Sequence, residues 1–169
     1  MAKAIEYAYL RTNDRSGGLC TTIKVKWHRP PTNWAKLNTD GSSIGNPNLA
    51  GGGLICNANG EWVWGFARAI GTTTCVATEL WALRDGIHLC IALKFPAVII
   101  ELDAKLVVDL LHKEDRNQNE LDAILGDCKA GLRDIPMVKI QHCYREANKC
   151  DDALVRRGAL LSQDFVIFL

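Results

Sequence analysis

The chain has no Cys-x-x-Cys pair and no zinc-like cysteine spacing, although it carries seven cysteines, at 20, 56, 75, 90, 128, 143 and 150. Several of them sit inside apolar segments. That is the pattern of reduced, buried thiols in an intracellular protein rather than of a secreted disulfide scaffold. An excess of either charge is also missing: 20 Lys and Arg against 19 Asp and Glu leave a net charge of +1. No global field draws in a polyanion, so any such binding must come from local patches. No stretch approaches the ~20 apolar residues that cross a bilayer, and no membrane association is expected. The opening MAKAIEYAYL lacks the apolar run and cleavage pattern of a secretory signal. Glu6 and Asp14 speak mildly against a transit peptide. The expectation is a nuclear or cytoplasmic protein, with an organelle left open. Repeats and low-complexity segments are absent too. What is there is 169 residues, 48% of them hydrophobic, enough for one domain with its own core.

Residues 1–33 differ from the rest. RTNDRSGG reads as a loop and WHRPPTN as an extended, proline-containing approach, so this region is expected to be an extension or linker. The periodicity sharpens over 34–162, the expected domain. Trp34–Asp40 alternates like a strand, and the glycine-rich stretch Gly41–Gly53 reads as a turn leading into Leu54–Cys56. Asn57-Ala58-Asn59-Gly60 is a hairpin signal, and Glu61–Ile70 is the return strand. Thr72–Thr74 precedes a helix over Cys75–Leu93, with Leu80, Leu83, Ile87 and Ile91 at helical spacing. The largely apolar Ala97–Leu102 reads as a buried parallel strand. Helices over Ala104–Leu111 and Leu121–Leu132, a strand over Met137–Tyr144 and a last helix over Asn148–Leu161 complete the pattern. Residues 163–169 form an apolar C-terminal tail whose role the pattern leaves open. Hairpins first and crossovers later give an α/β fold, a mixed sheet with helices on its faces. Right-handed crossovers put the strand ending at Asp103 beside the one carrying Asp40.

Four acidic residues stand out: Asp40 in LNTDGSS, Glu79 in ATELWAL, Asp103 in ELDAKLVVDLL and Asp152 in REANKCDDALV. Each has an ordinary explanation alone. Asp40 suits a turn, Asp103 a helix N-cap, and Asp152 the positive end of a helix macrodipole. Glu79 shares a face with Leu83 and Ile87, so it needs a compensating partner, such as a salt bridge. Together they lie at two strand ends and two helix starts on one edge of the sheet, where sites form in open α/β sheets. Gathered carboxylates of this kind suit Mg²⁺, with Mn²⁺ as the alternative, and phosphodiester hydrolysis.

These motifs carry a resemblance. From about Trp34 to Leu161, TDGSSIGNPNLAGGG, ATELWAL, ELDAKLVVDLL and HCYREANKCDDALV resemble, in order, those of a type 1 ribonuclease H domain of the plant reverse-transcriptase-like, retroelement-derived branch. The resemblance implies a ribonuclease H-like fold: a five-stranded mixed sheet in the order 3-2-1-4-5, its first three strands antiparallel. It implies a metal tetrad of Asp40, Glu79, Asp103 and Asp152, with Asp151 competing for the last place. It implies a proton-handling role for His142, which Arg145 takes over if the histidine does not serve. Gly41, Ser42 and Asn46 would touch an RNA–DNA hybrid, the 2′-hydroxyl marking the RNA strand. Two departures stand out. Cys75 and Val76 replace asparagines common before the catalytic Glu, and Asp151 replaces a small apolar residue.

The expected activity is therefore metal-dependent, endonucleolytic cleavage of the RNA strand of RNA–DNA hybrids by a monomer. The alternative is a catalytically weak or inactive nucleic-acid-binding or adaptor module. Lys24, Lys26, His28, Arg29 and Lys36, with Lys139, His142, Arg145, Lys149, Arg156 and Arg157, are the candidate phosphate contacts. Trp62, Trp64 and Trp81 read as core rather than as base-stacking platforms.

Overall fold

A computed structural model describes residues 25–43, 49–113, 121–148 and 165–169. Most of the expected last helix, together with Asn46, Asp151 and Asp152, lies outside the described residues. The strands are β1 (Ala35–Ser43), β2 (Leu49–Cys56), β3 (Trp62–Gly71), β4 (Ala97–Leu102), β5 (Met137–His142) and β6 (Phe165–Phe168). The helices are α1 (Cys75–Ala92), α2 (Lys105–His112) and α3 (Asp122–Asp134). The six strands make one sheet in the order β5-β4-β1-β2-β3-β6. β1, β2 and β3 are antiparallel neighbours, while β4 pairs parallel with both β1 and β5. This is the expected mixed ribonuclease H-like sheet with one strand added. β6 runs antiparallel to β3 at the sheet edge, formed by the apolar tail.

The turn over Gly41–Gly53 is narrower than expected: β1 runs to Ser43 and β2 resumes antiparallel to it at Leu49, so the reversal falls between them, outside the described residues. Gly41 closes no turn; it continues β1, and Gly51, Gly52 and Gly53 lie inside β2, opposite Gly41, Asp40 and Thr39. Glycine normally weakens a strand, so sequence pattern alone argues for a break. Here close approach decides. A Cβ at Gly53 would fall 2.4 Å from the Asn38 carbonyl oxygen and 2.8 Å from the Phe66 ring. Only a bare backbone fits between β1 and Phe66.

Helix α1 starts where expected. The Thr74 side chain accepts a hydrogen bond from the Ala77 N–H, satisfying one of the first-turn donors. It stops at Leu93, because Lys94 takes a left-handed φ of 57° and Pro96 follows. Leu80, Leu83 and Ile87 are fully buried, each contributing about 1.5–3 kcal/mol of apolar burial. They pack with Leu37, Phe66, Val98 and Ile100 into the main core between α1 and the sheet. That packing fixes α1 across β1, and so fixes where Glu79 points.

The other face of the sheet is different. Lys36 and Asn38 alternate with Leu37 along β1 and are both 2% exposed. Trp27, ahead of the first strand, packs on Leu54 and Cys56 with Phe168 of β6. No helix among the described residues is long and apolar enough to cross a membrane.

Candidate metal centre

Three elements bring the first three carboxylates together. Asp40 lies on β1, Glu79 in the second turn of α1, and Asp103 directly after β4. One oxygen from each can be chosen so that all three lie within 4.8 Å of one another. Gly41 makes this possible. A Cβ there would fall 2.5 Å from the Glu79 nitrogen and 2.7 Å from the Thr78 carbonyl carbon. Any larger residue would push α1 off β1 and carry Glu79 away from Asp40.

The ordinary explanations for these residues do not hold. The N-cap position of helix α2, which begins at Lys105, is Ala104 rather than Asp103. Asp40 sits within a paired strand, 5% exposed, rather than in a turn. Glu79 has no salt bridge among the described residues. Burial pushes its carboxyl well above the usual carboxylate range; the negative charges of Asp40 and Asp103 push it further, and a hydrogen bond from the Gly41 backbone opposes them only in part.

Its Oε2 is buried without a hydrogen-bond partner. A buried, unpartnered carboxylate oxygen beside two further carboxylates is costly as it stands. A divalent cation would supply the missing partner, and an all-oxygen donor set of this kind suits a hard ion that keeps several waters. The residues present fit the metal.

The remaining expected site residues are placed as follows. His142, the last residue of β5, is exposed, and its Nε2 lies 3.2 Å from the Asp103 carbonyl oxygen. That carbonyl can only accept, so Nε2 carries the proton in this arrangement. The Tyr144 ring meets the imidazole edge-on, with centroids 5.7 Å apart. Arg145 is exposed and opens a short 3₁₀ turn, Arg145–Ala147. Gly41 is on β1 against Glu79, and the backbone of Ser42 pairs with Ala50. Cys75 is exposed at the start of α1.

One expected phosphate contact is corrected. Lys36 is buried, and its Nζ donates to Glu101 at 2.7 Å and to the His28 carbonyl at 2.5 Å. It has no surface to offer a backbone phosphate. Of the three tryptophans, Trp64 and Trp81 pack against the core as expected, whereas Trp62 is 52% exposed.

Sequence reasoning missed a group of polar side chains beneath the carboxylates: the buried Asn38, Glu101 and Asn148 and the half-buried Gln141. The available signal was the alternation Lys36, Asn38, Asp40, which puts all three on one face of β1.

Comparison with known proteins agrees with this geometry. Residues 38–158 match the family described as Reverse transcriptase-like. A curated protein of Arabidopsis thaliana, named provisionally as a ribonuclease H protein, is 34% identical over 145 residues. That alignment takes in 85% of this chain but 23% of the relative, so the chain spans about a quarter of its length. Among solved structures, RNase H1 of the archaeon Halobacterium salinarum NRC-1 is 25% identical with a TM-score of 0.68, over 74% of this chain and 96% of that one. LC11-RNase H1, isolated from compost and solved in complex with an RNA/DNA hybrid, shares the fold at 22% identity and a TM-score of 0.66, over 74% of this chain and 96% of that one. With the sheet order, the carboxylate cluster and the match over 38–158 in agreement, the chain belongs to the reverse transcriptase-like family of ribonuclease H domains.

Proposed function

We propose that this domain is a metal-dependent endonuclease that hydrolyses the RNA strand of RNA–DNA hybrids. The observation that carries the reading is the meeting of Asp40, Glu79 and Asp103 from three separate elements, with a buried Glu79 oxygen lacking any partner. Packing alone gives no reason to assemble three like charges. Asp40, Glu79 and Asp103, with Asp152 as the fourth ligand, would hold Mg²⁺ or Mn²⁺. When bound, the metal supplies an activated water and neutralises charge at the scissile phosphate.

The chain's own residues do the rest. The backbone at Gly41, the hydroxyl of Ser42 and the side chain of Asn46 orient the RNA strand through its 2′-hydroxyls. Arg145, exposed beside His142, contacts phosphate. His142, whose Nε2 lies 3.2 Å from the Asp103 carbonyl oxygen, moves a proton at the rim of the cluster. Water adds to phosphorus and the 3′-oxygen leaves. One proton is lost from the water and one reaches that oxygen, which gives 3′-hydroxyl and 5′-phosphate ends.

A labelled RNA–DNA hybrid incubated with Mg²⁺ or Mn²⁺ tests this. The wild type cuts the RNA strand, and Asp40→Asn does not. Absence of cutting by the wild type, or equal cutting by Asp40→Asn, defeats it. Hybrid binding that ignores metal and gives no turnover would instead establish the binding module, the reading favoured by Asp151, by Cys75 and Val76 in place of asparagines, and by the net charge of +1.

A further inference from the structure

The carboxylates stand on a second, buried layer. In the sheet register Asn38 is opposite Glu101, and Glu101 is opposite Gln141, so the three form one rung across β1, β4 and β5. Asp40 and Asp103 each lie two residues further along from Asn38 and Glu101. The rung is closed by hydrogen bonds. Glu101 accepts from Lys36 Nζ at 2.7 Å, Gln141 Nε2 at 2.7 Å and Asn38 Nδ2 at 3.2 Å. Asn38 Nδ2 also donates to Asn148 Oδ1 at 2.9 Å, and Asn148 Nδ2 donates to the Thr39 carbonyl at 3.0 Å. Asn38 Oδ1 accepts from the Trp27 indole N–H at 3.3 Å. The positive charge of Lys36, whose Nζ also lies 5.1 Å from the Trp27 ring centroid, offsets that of Glu101.

We infer that Asn38 is a positioning residue for the carboxylate site, its amide held by a buried network that Trp27, ahead of the first strand, completes. The inference rests on the metal reading above. An apolar rung of similar volume would be at least as stable, because a buried ion pair and its amides add little net stability. Directional bonds do something apolar packing does not: they fix one orientation. Asn38 ties three things together. It binds the β4 rung beneath Asp103, and through Asn148 it grips the peptide immediately before Asp40. Asn148 also stands four residues ahead of Asp152 in the sequence. Trp27, His28 and Lys36 all precede the residues matched to the family, which begin at 38. Trp27 and His28 come from the approach segment, and Lys36 from the start of β1.

Calorimetric titration with Mn²⁺ and hybrid-cleavage kinetics, both well below the melting temperature, test the inference. Asn38→Leu keeps the volume and removes the bonds. Its Mn²⁺ affinity and kcat are each expected to fall by about tenfold, as for other residues that orient metal ligands, with KM for hybrid within about twofold of wild type. Trp27→Phe removes the N–H donor and part of the ring while keeping an aromatic side chain at the position. Its Mn²⁺ affinity is expected to fall by about threefold, within the range that one lost hydrogen bond allows. Wild-type Mn²⁺ affinity in a folded Asn38→Leu overturns the inference. If that variant does not fold, unchanged affinity in Trp27→Phe overturns it. A fall in hybrid affinity with kcat intact does the same. A wild type that takes up no Mn²⁺ refutes the metal reading and removes this one with it. A wild type that takes up Mn²⁺ while Asn38→Leu matches it refutes the positioning role alone.

Discussion

Replacing Glu79 by Gln should make the metal-free protein more stable while abolishing cleavage. The carboxylate is 9% exposed, its Oε2 has no hydrogen-bond partner, and its strongest neighbours are the acids Asp40 and Asp103. Gln keeps an oxygen to accept from the Gly41 N–H and places an amide donor beside the two carboxylates. Leaving a buried polar group unsatisfied costs about 1–3 kcal/mol, and more when it is charged. Relief of about 2 kcal/mol raises the melting temperature by roughly 4–8 °C for a domain of this size. The pH dependence has a definite sign. Glu79 is an acid whose folded-state pKa is raised, so the folded state holds the proton more tightly than the unfolded chain. The stability this contributes is fully present below the ordinary value of 4.5 and is lost as pH rises through the raised folded value. The gain from Glu79→Gln should therefore widen with pH across that window and vanish at its acid end. Added Mn²⁺ should reverse the order, because a ligand at 100 times its Kd stabilises the wild type by about 2.7 kcal/mol and finds one fewer carboxylate in the variant. Scanning calorimetry in chelator, and then in Mn²⁺, reads both effects. A variant that melts below wild type in chelator near neutral pH would refute the reasoning.

Three further outcomes follow from the packing. Lys36→Met should destabilise by about 3–5 kcal/mol, as expected when one partner of a buried pair is removed, and denaturant melts will show it; a loss below about 1 kcal/mol would mark the pair as solvated. Gly53→Ala should destabilise by at least about 1–3 kcal/mol, since its Cβ meets the Asn38 carbonyl at 2.4 Å and overpacking against backbone has no easy relief; thermal melts measure it. Burial pushes the Cys90 and Cys128 thiols up to about 12, so both should resist iodoacetamide in the folded state at pH 8 while exposed Cys75 reacts, as peptide mass mapping will report.

Much of this fold was legible because its signals are local. Thr74 before Ala77 marks the start of α1, Pro96 marks its end, and Ala97–Leu102, apolar except for Glu101, marks a strand covered on both faces. The three carboxylates were legible as motifs, and the register then put them together. Other parts depend on distant contacts that no window of sequence contains. Gly51 and Gly53 read as part of a break because nothing nearby reveals that Ala82 and Ile70 crowd the first, and the Asn38 carbonyl and Phe66 the second. Phe165–Phe168 read as a tail because its partners, Gly65–Arg68, lie about a hundred residues earlier. There the Phe165 ring meets Phe66 and the Arg68 guanidinium, which a salt bridge holds to Asp85.

Lys36 is the sharpest case, because its surroundings reverse its meaning. A lysine in a basic cluster ahead of a nucleic-acid motif reads as a phosphate contact. Buried against Glu101, it instead balances a carboxylate one pleat below Asp103. Without that balance, the charge of Glu101 would add to those of Asp40, Glu79 and Asp103, and the site would repel itself more strongly. Electrostatics therefore divides the acids on this face into two kinds. Glu101 is neutralised by the protein itself and serves the framework. Glu79 has no cation of its own among the described residues and keeps an unpartnered oxygen, so the framework around it leaves its charge uncompensated. Spacing does not distinguish the two, since Glu101 and Asp103 stand in the same short motif. The difference lies in which side chains the neighbouring strands bring to each.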